Sequence, residues 1–145
     1  AVIAPPARLD PAPLAQMFAD GVGDLDWLVK QGDMRLNPTA LMATAQSLVV
    51  VAWHYQPISG SGHLRRARYA AGKDYHEILR LKLARIGKAL GVKQRACVDS
   101  APVSERVLAQ LAGLGWLGRN ALIIDPAAGS YRAGGIADRG LDRAP

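Results

Sequence analysis

Three short segments spend polar residues, glycine and proline where a plain folded core has no use for them. They are Val98-Asp99-Ser100-Ala101-Pro102-Val103-Ser104-Glu105-Arg106, the earlier Arg68-Tyr69-Ala70-Ala71-Gly72-Lys73-Asp74-Tyr75-His76, and Ala112-Gly113-Leu114-Gly115-Trp116-Leu117-Gly118-Arg119-Asn120. Asp99 follows a short strand and precedes a helix, which puts a carboxyl at the edge where open α/β sheets place their ligands. The same position suits a structural role, because an acidic group near a helix start is favoured by the dipole and by unpaired backbone N–H groups. His76, in a helix's first turn, is either a site residue or a partly exposed polar group. Gly113, Gly115 and Gly118 follow a helix, so they are not a G-x-G-x-x-G nucleotide loop; they permit tight turns or close approach to a flat ligand. Trp116 packs either in the core or against such a ligand.

The elements that must position these segments follow from periodicity. Ser47 to Trp53 is a continuous apolar run, read as a central strand buried on both faces. Leu79, Leu83, Ile86 and Leu90 step at helical spacing, with Asp74 as N-cap and Gly91 as the closing glycine. Arg95 to Val98 reads as a strand, Pro102 to about Ala112 as a helix, and Ala121 to Ile124 as another strand closed by Asp125-Pro126. Leu14 to Lys30 reads as one helix or two short ones broken at Gly21 and Gly23, with Leu14, Met17, Phe18, Leu25 and Leu28 inward. The alternation of strands and helices predicts an α/β fold, a layered sandwich with a central sheet and flanking helices. Residues 1–13, with four prolines, are expected to form an irregular arm.

Composition bounds the function classes. The 145 residues are 50% hydrophobic and 21% charged, ordinary for one globular domain. The longest apolar run is far short of the roughly 20 residues a membrane span needs, and no secretory leader is visible at Ala1, so a cytoplasmic location is expected. The single cysteine, Cys97, excludes an internal disulfide and any all-cysteine metal site built within these residues, and is read as a buried small hydrophobe. Charge is uneven: residues 1–60 hold three Lys/Arg against five Asp/Glu, and residues 61–145 hold fifteen against seven. The basic second part, including His63, Arg65, Arg66 and Arg68 after a Ser-Gly-Ser-Gly loop, suits a polyanion partner or is simply a solvated face.

The three segments together resemble epoxyqueuosine reductases. The pattern runs from Val98-Asp99-Ser100-Ala101-Pro102-Val103-x-Glu105-Arg106 through Ala112-Gly113-Leu114-Gly115-Trp116-x-Gly118-Arg119-Asn120-x-Leu122-Ile123, preceded by Arg68-Tyr69-Ala70-x-Gly72-x-Asp74-Tyr75-His76 and by Ser47 to Ala52 with Tyr55-x-Pro57. It covers roughly residues 14 to 131. The resemblance implies an oxidoreductase that uses cobalamin to reduce epoxyqueuosine to queuosine at the wobble position of tRNA, with Asp99 as general acid. It further implies Tyr69, Tyr75 and His76 near the substrate. Arg106, Asn120 and Ser130 would serve as cofactor-binding residues, together with Arg35 of an Arg-x-Asn-Pro pattern. No residue is assigned as a metal ligand, since the Asp-x-His-x-x-Gly cobalamin motif is absent.

One part of the family pattern is missing. There, a Gly-Ser-aromatic segment leads into a ferredoxin-like domain whose cysteine runs hold iron–sulfur clusters. Here Gly129-Ser130-Tyr131 is followed by Arg132 to Pro145 without a cysteine, so the clusters are not bindable by this chain, and an external electron donor is implied. Residues 132–145, poor in apolar side chains, are expected to be a frayed tail beyond a 14–131 cobalamin-binding domain. The alternatives are a cobalamin carrier or processing module or an inactive fragment without tRNA activity, and a tRNA-binding remnant without cofactor.

Overall fold

The apolar run of Ser47 to Trp53 forms the middle of β2, Ala45–His54, in a computed structural model that describes residues 2–4, 8–55, 67–130 and 132–140. β2 pairs antiparallel with β1, Val2–Ala4, on one side and with β6, Arg132–Gly140, on the other. β6 also pairs antiparallel with β3, Lys93–Cys97, giving the order β1-β2-β6-β3. Because β2 and β3 both oppose β6, they are parallel to one another and finish at the same end of the sheet.

Side chains alternate across a strand, and β2 uses both of its faces. Leu48 and Val50 join Cys97, Val103, Leu108 and Ala112 on one side, while Val49 joins Leu79, Leu83 and Val98 on the other. The first cluster is covered by α5, Glu105–Leu111, and the second by α4, Tyr75–Leu90. The result is the expected α/β sandwich, and Cys97 is the buried small residue anticipated.

Helix α4 begins where Asp74 accepts the His76 N–H at 2.9 Å. It ends at Gly91, whose φ of +64 lets the Val92 N–H return to the Gly87 carbonyl, the bonding of a Schellman cap. Leu79 and Leu83 are fully buried, whereas Leu90 in the last turn is exposed. Before β2 lie α1, Ala12–Ala19, α2, Asp26–Lys30, and α3, Gly32–Leu36. Helices of eight and five residues present too few turns for a continuous apolar stripe. Met17 and Leu25, expected inside, are therefore exposed, and Leu14, Phe18 and Leu28 are half-buried.

Three further expectations are corrected. Residues 132–140 do not fray: they are β6, paired on both sides, because two parallel strands leave facing backbone edges that an intervening antiparallel strand satisfies whatever its side chains. The 1–13 arm is tied down as well, through β1 and through Leu9, which is buried and donates its N–H to the Leu36 carbonyl. β1 and β6 thus join the sheet from outside the 14–131 span. Finally, the stretch expected as a strand over Ala121 to Ile124 is shorter and separate: among the described residues β5, Ile123–Ile124, pairs with β4, Trp116–Leu117, in a two-stranded sheet of its own.

Leu83→Ala should lower unfolding free energy by about 2–5 kcal/mol, the usual cost of a buried leucine truncated in a packed core. Leu81→Ala, at a position 63% exposed on the same helix, should cost under about 0.5 kcal/mol. Urea denaturation of both variants measures the difference.

Candidate active site

The loop between β3 and α5 is fixed at both ends. Val98 is buried in the α4-side cluster and Val103 in the α5-side cluster, so the chain crosses the end of the sheet between them. It does so in two tight turns, with the Ser100 N–H on the Val98 carbonyl at 2.6 Å and the Val103 N–H on the Ala101 carbonyl at 2.7 Å. These turns delay the helix, which begins at Glu105 rather than at the expected Pro102. Asp99, at the apex, has φ of +53, a conformation that aspartate tolerates better than most residues. Its backbone N–H donates to Glu105 Oε1 at 2.9 Å, Arg80 donates to the Ser100 hydroxyl at 3.0 Å, and the Ser104 hydroxyl donates to the Arg35 carbonyl at 3.1 Å.

Helix α4 supplies the groups around the Asp99 carboxyl. Since Asp74 is its cap, Tyr75 and His76 are its first two residues. Tyr75 donates its hydroxyl to Asp99 Oδ2, and His76 Nε2 lies 3.5 Å from the same oxygen. The Tyr75 and His76 rings stack at 4.1 Å, and Tyr69 meets Tyr75 edge-on at 5.8 Å. His76 Nδ1 is 2.7 Å from Asp74 Oδ1; the His76 backbone N–H first, then its side chain, hold the Asp74 carboxyl below its ordinary pKa. Burial first, and then the Asp99 carboxylate, raise the Tyr75 phenol well above its ordinary value, so it remains a donor.

These residues stand on a cleft of about 960 Å³ at the common end of β2 and β3. Of the residues expected from sequence, Arg35, Tyr69, Tyr75, Asp99, Arg106 and Ser130 line it, Ser130 lying two residues before β6 in the chain. Between them the wall is apolar, with Val50, Val51, Ala52, Val103, Val107, Leu122 and Ile123. His76 and Asn120 are off the wall: His76 reaches Asp99 from the side, and the Asn120 side chain is used locally, accepting the Leu122 N–H at 3.2 Å. The basic residues His63, Arg65 and Arg66 lie outside the described residues, and only the backbone of Arg68 is described.

The glycines of the third segment serve the protein's own backbone. Gly113, at φ of +75, closes α5, with the Leu114 N–H on the Ala109 carbonyl at 3.0 Å. A Cβ on Gly115 would stand 2.2 Å from the Ile124 carbonyl oxygen, so that position admits only glycine. Trp116 is half-exposed and is not on the cleft wall. The β4–β5 hairpin is latched to α5 by Arg106, whose guanidinium donates to the Ala121 carbonyl, and Ala121 itself has φ of +58. Among described residues, Asp99 and Ala121 are the non-glycine positions at positive φ, and both line the cleft. Backbone held in such sparsely populated regions concentrates at functional sites.

Glu105 was missed as a site residue. It lines the cleft, and burial pushes its carboxyl up to about 8, against the opposing Asp99 backbone N–H and with help from the Asp99 charge. The signal was present in the spacing: Glu105 lies in the first turn after the Asp99 loop, where a long acid can reach back to a backbone N–H.

A family profile described as epoxyqueuosine reductase QueG, DUF1730, matches residues 35–100. The epoxyqueuosine reductase of Vibrio cholerae is 35% identical over 135 residues, covering 84% of this chain and 37% of the relative. This chain is a relative of the epoxyqueuosine reductases. The Escherichia coli enzyme is likewise 35% identical, over 75% of this chain and 32% of its own length, so the chain spans about a third of the curated relatives it matches. A crystal structure of an epoxyqueuosine reductase with an epoxyqueuosine-modified tRNA-Tyr stem loop has a TM-score of 0.81 at 23% identity, covering 99% of this chain and 42% of that one. The Streptococcus thermophilus enzyme gives 0.77 at 21% identity, again over 99% of this chain and 42% of its own. At these identities the structures establish the shared fold. The span matched by the epoxyqueuosine reductase profile takes in Arg35, Tyr69, Tyr75, His76 and Asp99.

The raised Glu105 carboxyl links stability to pH. The folded chain keeps a proton that an ordinary glutamate, at 4.5, has already lost. Its contribution is therefore fully present below about pH 4.5 and is lost as pH rises through about 8. Glu105→Gln should remove this loss, so that the gap between variant and wild type widens in the variant's favour by on the order of a few kcal/mol between those limits. Thermal melts across the range read it.

Proposed function

We propose that this chain is the cobalamin-binding, epoxide-reducing part of an epoxyqueuosine reductase, acting in the cytoplasm on the wobble position of a tRNA anticodon with Asp99 as proton donor. The observation that carries the reading is the placement of the Asp99 carboxyl, gripped by Tyr75 and flanked by His76, on the rim of a broad apolar cleft. A large flat macrocycle with polar side arms calls for that kind of wall, apolar with a few polar groups at its edge. A second observation fits: Arg35 Nε is buried without a hydrogen-bond partner among the described residues, and buried donors are normally satisfied.

Arg35, Arg106 and Ser130 would hold the cofactor from the cleft wall, with Asn120 on the adjoining turn. Bound there, cobalamin would supply the reducing electrons at its cobalt. The rest is work for the chain's own side chains. Tyr69 offers an aromatic face for a base, and Tyr75 and His76 fix the Asp99 carboxyl by its Oδ2 atom. Asp99 gives its proton to the epoxide oxygen, which would otherwise leave as an alkoxide. The only cysteine in the 145 residues is the buried Cys97, so the electrons reach the site from a donor outside these residues, the role iron–sulfur clusters fill in the family.

Mixing the purified chain with cobalamin should change the corrin visible spectrum saturably; an unchanged spectrum at high protein concentration sinks the proposal. With a strong chemical reductant and epoxyqueuosine-containing tRNA, Asp99→Asn should lower turnover by about 10²–10⁴-fold, the usual worth of a general acid, while cobalamin affinity stays within about twofold. Cobalamin binding without turnover in the wild-type chain would instead mark a carrier.

A further inference from the structure

Helix α4 has two faces with different work. Leu79, Leu83 and Gly87 are buried against the sheet, while the rest of the helix carries Arg80, Lys82, Arg85 and Lys88 against the single acid Glu77. Four of the fifteen cations of residues 61–145 thus lie on α4, with one of the seven acids. Lys82, Arg85 and Lys88 follow at three-residue steps, so like charges are neighbours on the helix surface and repel one another. A helix face meant only for water is normally laced with alternating signs. Among the described residues, none of the four cations forms a salt bridge. We propose, resting on the reading of tRNA as the substrate, that this face of α4 receives the phosphate backbone of the tRNA stem while the wobble base enters the cleft.

Two contacts join the face to the site. On one flank Arg80 donates to the hydroxyl of Ser100, the neighbour of Asp99, at 3.0 Å. On the other, the Lys82 ammonium stands 3.7 Å from the centre of the Trp53 ring. Trp53 lies near the end of β2, next to Ala52 of the cleft wall, and is 42% exposed. A half-exposed indole beside a cation offers a stacking platform next to a phosphate contact, the pairing by which unpaired nucleotides are held without readout of sequence. From Arg80 to Lys88 the helix rises about 12 Å. One strand of a duplex presents a phosphate roughly every 3.4 Å of its axis, so the face spans about three or four of them. The chemistry favours RNA over the other common polyanion. A basic helix that binds an anionic membrane also sinks an apolar face into the lipid, and the apolar face of α4 is spent on the sheet. Phosphates on RNA ask only for exposed cations, and each one neutralised releases a condensed counterion.

Arg85→Gln combined with Lys88→Gln tests the face without touching the cleft, since both side chains are exposed and neither lines it. The double variant should melt close to wild type, as exposed substitutions usually do, and give the same corrin spectral change with cobalamin. Fluorescence anisotropy with an unmodified tRNA-Tyr stem loop should show binding weakened about tenfold or more at low salt. The slope of log affinity against log salt should become shallower by about two, one for each cation removed. Lys30→Gln, at an exposed position on α2, should change neither. In the reconstituted enzyme the loss should fall on KM for tRNA. The proposal is overturned if the double variant keeps wild-type affinity and slope, or if Lys30→Gln lowers the slope as much per charge. Binding of phosphatidylserine vesicles but not of RNA by the wild-type chain overturns it as well. Turnover by a double variant that binds RNA as tightly as wild type removes the surface and leaves the reductase reading standing; a shallower slope in a chain that never turns over does the reverse.

Discussion

The site depends on a crossing. Between Val98 and Val103 the backbone passes from the α4 side of the sheet to the α5 side, and each of these valines is held by its own apolar cluster. Burying a side chain of this size contributes on the order of 1.5–3 kcal/mol, enough to hold strained backbone that costs about 1–3 kcal/mol per residue. The loop therefore has no slack, and its apex must stand over the end of the sheet. Asp99 occupies that apex, and the positive φ it adopts is a consequence of two anchored ends joined by a short path.

Sheet topology sets what the apex meets. With β6 inserted between them, β2 and β3 run parallel and point to the same end of the sheet, and the cleft forms at that end. Ser130 reaches the cleft only because the next element turns back into the sheet. Tyr75 and His76 reach Asp99 only because Asp74 starts α4 at that level. The Asp74 cap on α4 thus brings groups distant in sequence to a single carboxyl.

What could be read from the residues divides along physical lines. β2 and α4 were legible because burial selects their side chains: a run with both faces covered must be apolar, and a helix on a sheet must repeat at helical spacing. β6 was illegible because its place is determined by backbone pairing, and Arg132-Ala133-Gly134-Gly135 carries none of the side-chain signals by which strands are found. The start of α5 was misjudged for a related reason. Pro102 is a good first helical residue, but the tight turns between Val98 and Val103 are tertiary constraints that no local preference reports. Asp99, Tyr75 and Tyr69 were found through the resemblance their segments carry. Glu105 stood in the same segment and was passed over, since an acid in a helix's first turn has an ordinary explanation.

That explanation fails on magnitude. A helix N-terminus stabilises a carboxylate by about 0.3–1 kcal/mol, rarely up to about 2, and α5 has only seven residues. The Glu105 carboxyl moves the other way, from 4.5 up to about 8, and each unit corresponds to about 1.4 kcal/mol. That shift exceeds anything the dipole supplies, so burial and the neighbouring carboxyl govern the group.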